Sequence, residues 1–218
     1  TVFIVNITHP LLQIPAFYTI IPGAHFRERA MATSVGMFSA KLIAEHQNPE
    51  WALNRLLKMN HLLPGKYYIK FFLGTCFLSM NKPAVALPYL EEAIDLEPKG
   101  EDIPSIYSYM AQCYKELGQF RNAITVLERA ERYDDERTDI YNLLGFCHFK
   151  LKEHEEAITC FKKVLELDPT SGIDYANIAS NYRDMGKKEE AVRYYSLALE
   201  FDPTLEFARE NLRRLRLS

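Results

Sequence analysis

An alanine column recurs along the chain at nearly constant spacing, and this period limits what the chain can fold into. Its members, 34, 37, 34 and 34 residues apart, are Ala52, Ala86, Ala123, Ala157 and Ala191. Twelve residues before each alanine stands a second small residue, in the column Ala40, Gly74, Ala111, Gly145 and Ala179. Four residues after each alanine stands a large apolar residue, in the column Leu56, Leu90, Leu127, Phe161 and Tyr195. Columns that stay in register over such a period indicate a stack of one repeated supersecondary unit.

Each unit is predicted to be a hairpin of two α-helices, because apolar residues recur at helical spacing within both halves. Two helix backbones approach closely only where the crossing residues are small, and a larger side chain one turn later fills the space beside them. A proline twelve positions after the alanine is expected to end most second helices, since proline cannot continue a helix. This column contains Pro64, Pro98, Asp135, Pro169 and Pro203. The predicted turns within the hairpins contain Asn48-Pro49, Asn81-Lys82-Pro83, Gly118 and Gly186.

The fourth and fifth units carry the most specific motif. The fourth unit has Tyr141, Leu144-Gly145, His148, Ala157, Phe161 and Asp168-Pro169. The fifth unit has Tyr175, Ile178-Ala179, Tyr182, Gly186, Ala191, Tyr195, Ala198 and Asp202-Pro203. Both resemble the signature of the tetratricopeptide repeat (TPR) family. The resemblance implies an all-α fold, namely a right-handed α-solenoid of about five helix-turn-helix hairpins with a C-terminal capping helix.

The columns divide the chain into three regions. Residues 1–32 are an apolar N-terminal segment, residues 33–205 are the TPR array, and residues 206–218 are the capping helix. The predicted repeats span residues 33–66, 67–100, 104–137, 138–171 and 172–205. The first repeat is degenerate, because Gly36 stands where an aromatic residue is expected. In the capping helix, Leu212 and Leu215 are predicted to cover the last hairpin, which would otherwise expose its core.

The N-terminal segment contains a stretch, residues 2–26, without Asp, Glu, Lys or Arg. Pro10, Pro15 and Pro22 interrupt it, so a continuous membrane-spanning helix is not predicted. We expect an extended or broken-helix segment packed on the first hairpin, with a membrane-associated or partner-binding segment as the alternative. Because the chain begins with Thr1 rather than Met, it is expected to be a fragment or a processed product.

Composition and motifs favour binding over catalysis. The formal net charge is −3, which argues against nucleic-acid binding, since phosphate contacts need an excess of Lys and Arg. The six histidines form no HExxH motif, and the chain has no glycine-rich phosphate loop. Cys76, Cys113 and Cys147 occupy one column of three repeats, where a small apolar residue is wanted, so they are predicted to lie in the core. No enzymatic activity, metal or cofactor is expected.

In the family that the chain resembles, stacked first helices line a concave groove that holds a partner peptide or helix. The resemblance therefore implies a cytoplasmic protein-interaction scaffold or adaptor whose partner is another protein. The groove residues are expected on the face of each first helix that points away from its own second helix. The predicted peptide-binding residues are Tyr68, Phe71, Thr75, Leu78, Ser108, Gln112, Lys115, Asn142, Phe146, Phe149, Lys150, Asn177 and Arg183.

Three aromatic residues of this set, Phe71, Phe146 and Phe149, are candidate anchors, because no helix crossing needs a large ring at those positions. The alternative is that they pack against a neighbouring repeat or the N-terminal segment. The carboxylate clamp with which some TPR proteins bind chaperone C-termini is not expected. The residues at its matching places are Ser108, Gln112, Leu143, Ile173 and Asn177. A second functional hypothesis is a regulatory or targeting arm of a larger enzyme or membrane-associated complex.

Overall fold

The computed structural model describes residues 3–6, 17–20 and 35–217. Two short strands, β1 (Phe3–Asn6) and β2 (Phe17–Ile20), pair antiparallel with Phe3 opposite Ile20. The N-terminal segment is thus extended at these eight residues. The prediction for the other residues of this segment falls outside the described residues. The helices are α1 (Val35–Ala44), α2 (Pro49–Leu62), α3 (Tyr67–Ser79), α4 (Pro83–Asp95), α5 (Ile103–Glu116), α6 (Phe120–Glu131), α7 (Thr138–Lys150), α8 (His154–Leu167), α9 (Gly172–Asp184), α10 (Lys188–Phe201) and α11 (Glu206–Leu217).

Consecutive helices pair as hairpins, and the all-α fold class is confirmed. Helices α3, α7 and α9 begin at Tyr67, Thr138 and Gly172, the first residues of three predicted repeats. Helix α5 begins at Ile103, one residue before the predicted start of the third repeat. Most second helices end two or three residues before the proline of the repeat column, where the chain can no longer continue a helix.

The chain divides into two compact units, residues Thr1–Lys99 and Gly100–Ser218, called here the first unit and the second unit. The first unit has a core made by α1, α2 and α3, with Ala40, Leu56, Ile69 and Leu73 almost fully buried. The second unit contains α5 to α11. Helix α11 packs on α10 through the buried Ala208 and Leu212, with the partly buried Leu215 beside them, while its arginines stay at the surface.

The helix crossings depend on the small-residue columns, as predicted. All five alanines of the first column are completely buried. A Cβ atom built on Gly145 would lie 2.7 Å from Cζ of Phe161, and one on Gly74 would lie 2.6 Å from Cδ2 of Leu90. Both distances are shorter than a carbon–carbon contact allows, so the large residue of each second helix occupies the space that the glycine leaves.

The turn inside the last four hairpins places one residue in the left-handed region. Gly118 and Gly186 have φ angles of 71° and 75°, and Asn81 and Lys152 have φ angles of 57° and 62° at the corresponding positions. Glycine adopts this conformation without steric cost, and asparagine tolerates it better than most residues. Gly118, Gly186 and Asn81 are therefore turn residues, as the sequence predicts, and Lys152 holds the same conformation without that advantage.

The degenerate first repeat has a structural reason. A Cβ atom at Gly36 would lie 2.5 Å from the hydroxyl oxygen of Tyr68, so the tyrosine of α3 fills the space that an aromatic residue of α1 would take. Tyr68 is 8% exposed and belongs to the core of the first unit. The packing of α1 on α3 thus uses one ring from α3 in place of one from α1.

Candidate functional site

The predicted binding residues of the first unit lie mostly inside its packing. Tyr68 is buried, and Phe71 is partly buried against the same core, with its ring centroid 5.1 Å from that of Phe72. Thr75 donates its hydroxyl hydrogen to the carbonyl oxygen of Phe72 at 3.0 Å. Leu78 is partly exposed. These contacts favour packing over binding for Tyr68 and Phe71.

In the second unit, the predicted residues lie on α5, α7 and α9, the first helices of its three hairpins. We call this surface the first-helix face. It is defined by Gln112, Lys115, Asn142, Phe146, Phe149, Lys150, Asn177 and Arg183, all of them partly or fully exposed. Ser108, a predicted member of this surface, is only 2% exposed and lies beneath it.

Phe146 is the centre of the first-helix face. Its ring is half-buried, and the Nζ atoms of Lys115 and Lys150 lie 5.5 Å and 5.3 Å from the ring centroid. Both distances are within the range of a cation–π interaction. The ring of Phe120, at the start of α6, approaches the ring of Phe146 edge-on at 6.3 Å. The arrangement is an aromatic surface flanked by two ammonium groups.

Phe149 extends this aromatic surface by one turn of α7, because residues three apart on a helix are neighbours. Its ring meets the ring of His154 edge-on at 6.0 Å, and it packs against the buried cluster that includes Ala157 and Ile158. His154 is itself held at 2.9 Å from Oδ1 of Asn181 on α9. One side of Phe149 is therefore fixed by packing, and the ring stays partly exposed one helical turn from Phe146.

A hydrogen-bonded carboxylate, Asp139, ties α5 to α7 beside the first-helix face, and its side chain is 48% exposed. Ser108 donates to Asp139 Oδ2 at 2.8 Å, and Arg137 donates to both carboxylate oxygens at 3.0 and 2.8 Å. Arg137 also donates to the hydroxyl of Ser105 at 2.9 Å. Partial burial alone would raise the pKa of Asp139, but the bonds from Arg137 and Ser108 outweigh it, so the pKa is lowered.

A second carboxylate, Asp174 on α9, ties α9 to α7. It is 1% exposed and accepts hydrogen bonds from Ser171 at 2.6 Å and from Asn177 at 3.2 Å, with Asn142 of α7 as a further partner. Burial raises the pKa of Asp174 in spite of these donors. Asn142 and Asn177, both predicted binding residues, are thus partly engaged in holding the first helices together.

Arg183 also has a structural role. Its guanidinium donates to Asn211 of α11 at 2.7 Å and to Asp184 at 2.7 Å, and it lies 3.4 Å from the hydroxyl of Tyr195. Tyr195 is completely buried and shares a hydrogen bond with Ser180 at 2.9 Å. Arg183 therefore connects the last hairpin to α11, and less of its hydrogen-bonding capacity is available to a partner.

The charged groups at the first-helix face therefore differ in whether they have partners within the fold. Asp139 and Asp174 have donors within the fold, whereas the two lysines beside Phe146 face an aromatic ring. Lys115 has an ion pair with its neighbour Glu116 at 2.9 Å, which is partly exposed and contributes little. Within residues 35–217, no carboxylate lies within 4.0 Å of the Nζ atom of Lys150.

A further polar cluster of the second unit joins α6 to the hairpin of α7 and α8. His148 bonds to Glu153 at 2.8 Å, and Arg121 of α6 pairs with the same carboxylate, so the pKa of Glu153 is lowered.

Within residues 35–217, no group of three or more His, Cys, Asp or Glu residues is arranged to hold a metal ion. None of the described helices is long and apolar enough to cross a membrane.

The cysteine prediction is confirmed for the three thiols that it concerns. Cys76, Cys113 and Cys147 are at most 3% exposed, and all four cysteines are free. Burial raises the pKa of Cys76 and Cys147 to about 11 and that of Cys113 to about 12. A thiol is nucleophilic as its thiolate, so these side chains act as small apolar core residues.

Comparison with known proteins agrees with this architecture. Models of the tetratricopeptide repeat match residues 77–145, 138–171 and 175–205. The solved structure of YrrB, described as a TPR protein with an unusual peptide-binding site, is 18% identical, covers 85% of this chain and 96% of its own, and has a TM-score of 0.71. MamA is 22% identical over 80% of this chain and 93% of its own, with a TM-score of 0.69.

A third similar structure is TTC0263, a thermophilic TPR protein in Thermus thermophilus. It is 20% identical, covers 84% of this chain and 98% of its own, and has a TM-score of 0.59. At these identities the likeness concerns the fold. No curated protein matches the chain in sequence.

Proposed function

Because this chain belongs to the tetratricopeptide repeat family, we propose that it is a protein-interaction scaffold that binds a segment of another protein on its first-helix face. Arrays of this fold are typical of scaffolds without catalytic activity. The location on α5, α7 and α9 is our inference from the contacts described above. The peptide-binding site for which YrrB is described supports a peptide as the class of ligand.

The observation that carries this proposal is the position of Phe146. Its neighbour Gly145 makes the helix crossing with Phe161, so the hairpin has no structural need for a ring one residue further along α7. Phe146 nevertheless presents an aromatic side chain at the surface, between two lysines. Aromatic anchors of this kind, surrounded by polar groups, are the residues that dominate the energy of protein interfaces.

The surroundings of Phe146 complete a binding surface. Phe149 and Phe120 enlarge the apolar area, and Gln112 of α5 adds a partly exposed amide. The hydrogen bonds of Asp139 and of the buried Asp174 connect α5, α7 and α9 next to it. A rigid surface lowers the entropic cost of binding, because little of it has to become ordered when the partner arrives.

Replacing Phe146 by alanine is expected to weaken partner binding at least tenfold, because truncating an interface anchor commonly costs about 2 kcal/mol or more. The measurement is affinity capture from lysate with quantitative mass spectrometry, followed by Kd determination for the recovered partner. Tyr133→Ala is the matched control, since Tyr133 is an aromatic residue of the second unit that is 56% exposed between α6 and α7. If Phe146→Ala and Tyr133→Ala recover the wild-type partners equally, the proposed site is wrong.

A further inference from the structure

We propose that the segment bound on the first-helix face is acidic, with an Asp or Glu carboxylate between Lys115 and Lys150 and an apolar side chain against Phe146. The inference rests on the proposed function and specifies the chemistry of the partner. The proposal follows from a comparison of the charged groups of the second unit that have partners within the fold with those that do not.

The carboxylates near the face already have partners. Asp139 has Arg137 and Ser108, and Asp174 has Ser171, Asn177 and Asn142. A basic partner would therefore have to compete with donors that are held in place by the fold. An acidic partner would meet two ammonium groups of which, in the part of the chain that the structure describes, only Lys115 has a carboxylate within 4.0 Å, that of Glu116.

The two lysines are placed to act together. Their Nζ atoms lie at nearly equal distances, 5.5 and 5.3 Å, from the centroid of one ring. The two Nζ atoms can therefore be no more than about 11 Å apart. Two positive charges at such a distance repel each other, and the ring quadrupole offsets only part of this cost. A carboxylate that binds between them removes the repulsion and forms charge-assisted hydrogen bonds, which are stronger than neutral ones.

The aromatic surface sets the second requirement. Phe146, Phe120 and Phe149 offer no hydrogen-bonding group, so the part of the ligand that lies on them must be apolar. A segment in which an acidic residue stands next to a leucine or an aromatic residue satisfies both requirements. A nucleic acid is less suited, because it needs a longer row of cations to follow its phosphates than two lysines beside one ring supply.

The test is selection of a random peptide library displayed on phage against the purified full chain. We expect the peptides whose binding is lost in Phe146→Ala to be enriched in Asp or Glu beside an apolar residue. For such a peptide, synthesised and titrated, Lys115→Glu/Lys150→Glu should raise Kd at least tenfold. The same selection against this variant should favour basic peptides. Increasing salt should weaken the wild-type complex, because exposed charge pairs are screened.

Two controls separate charge from folding. Lys58→Glu/Lys162→Glu makes the same change in net charge at exposed lysines of α2 and α8, and it should change Kd less than twofold. Lys115→Gln/Lys150→Gln removes the charge without reversing it and should give an intermediate loss. Circular dichroism of each variant checks that its helix content matches that of the wild type.

The outcomes distinguish the two proposals. If peptides are selected that depend on Phe146 but carry no acidic residue, or if the charge reversal leaves their Kd unchanged, the acidic partner is excluded and the binding face stands. If no selected peptide depends on Phe146, the proposed binding face itself is excluded, and the acidic partner with it.

Discussion

Replacing Phe161 by alanine is expected to lower the free energy of unfolding of the second unit by about 3–5 kcal/mol, because the change removes a buried aromatic ring and leaves a cavity. Phe161 is 4% exposed and lies directly over Gly145 at the crossing of α7 and α8. No side chain of residue 145 can fill this space, since the glycine has none. The effect should be visible in urea unfolding followed by circular dichroism.

The loss at Phe161 should also be local. Contacts in a repeat array join neighbouring hairpins, so amide hydrogen exchange should rise mainly in α7 and α8 and remain unchanged in α3 of the first unit. Tyr133→Ala removes a ring that is 56% exposed and should change the free energy of unfolding by no more than about 0.5 kcal/mol. Equal destabilisation by the two substitutions would show that the crossing is misplaced.

Replacing Gly145 by alanine is expected to cost about 1–3 kcal/mol, because overpacking forces side chains or backbone to move. The added Cβ would lie 2.7 to 3.0 Å from three atoms of the Phe161 ring. Alanine has the higher helix propensity, so propensity alone would predict the opposite sign by roughly 1 kcal/mol. The sign of the measured change therefore separates packing from propensity.

Gly100→Ala is the matched control for Gly145→Ala, since a Cβ at Gly100 meets no heavy atom within 4 Å and the residue does not need a positive φ. Its effect should be neutral within about 0.5 kcal/mol. Adding Phe161→Leu to Gly145→Ala should restore part of the lost stability, because the smaller side chain makes room for the methyl group. Strict additivity of these two substitutions would contradict the contact between residues 145 and 161.

The crossing matters for function because Phe146 follows Gly145 directly in α7. The glycine faces α8 and fixes how closely α7 approaches it, and this in turn sets where the next residue stands on the surface. Loosening the crossing is therefore expected to weaken binding as well as stability. The two effects can be separated, because Phe146→Ala removes a surface ring without touching the contact between Gly145 and Phe161.

The hairpins could be predicted from sequence because steric requirements repeat along the chain. Each crossing needs its own small residue, so Gly74 and Gly145 recur with a large partner four positions after the alanine. Left-handed turn residues recur for the same reason, as in Gly118 and Gly186. Lys150 and Phe146 could be assigned to the surface, because the crossing leaves that side of α7 unused.

The hydrogen-bond network around Asp139 and Asp174 could not be predicted in the same way. Asp139 and Asp174 bond to residues of neighbouring hairpins, and those pairings depend on the register between repeats, which the repeat period does not specify. The repeat columns predict Ser108 at the surface, but it lies under the face as a donor to Asp139. His148 stands at the repeat position that Phe77, Tyr114 and Tyr182 occupy in other hairpins, yet its ring bonds to Glu153.

In the first unit, the structure differs from the sequence prediction for another reason. The column containing Tyr68 is expected at the surface when every first helix has its usual aromatic residue, but Gly36 leaves a gap in α1. Tyr68 fills that gap and becomes part of the core. The pairing of β1 with β2 could not be predicted from the repeat columns, because both strands lie outside the repeats.

The most direct test of the binding face is photo-cross-linking from one position on it. A photoreactive phenylalanine derivative in place of Gln112, on the same first-helix face as Phe146, should form covalent adducts with the partner when the full chain is irradiated in lysate. The same residue in place of Arg193, exposed on α10, is the control. We expect adducts from position 112 that disappear with Phe146→Ala and none from position 193. Adducts from position 193 alone would place the partner away from the first-helix face and contradict the account.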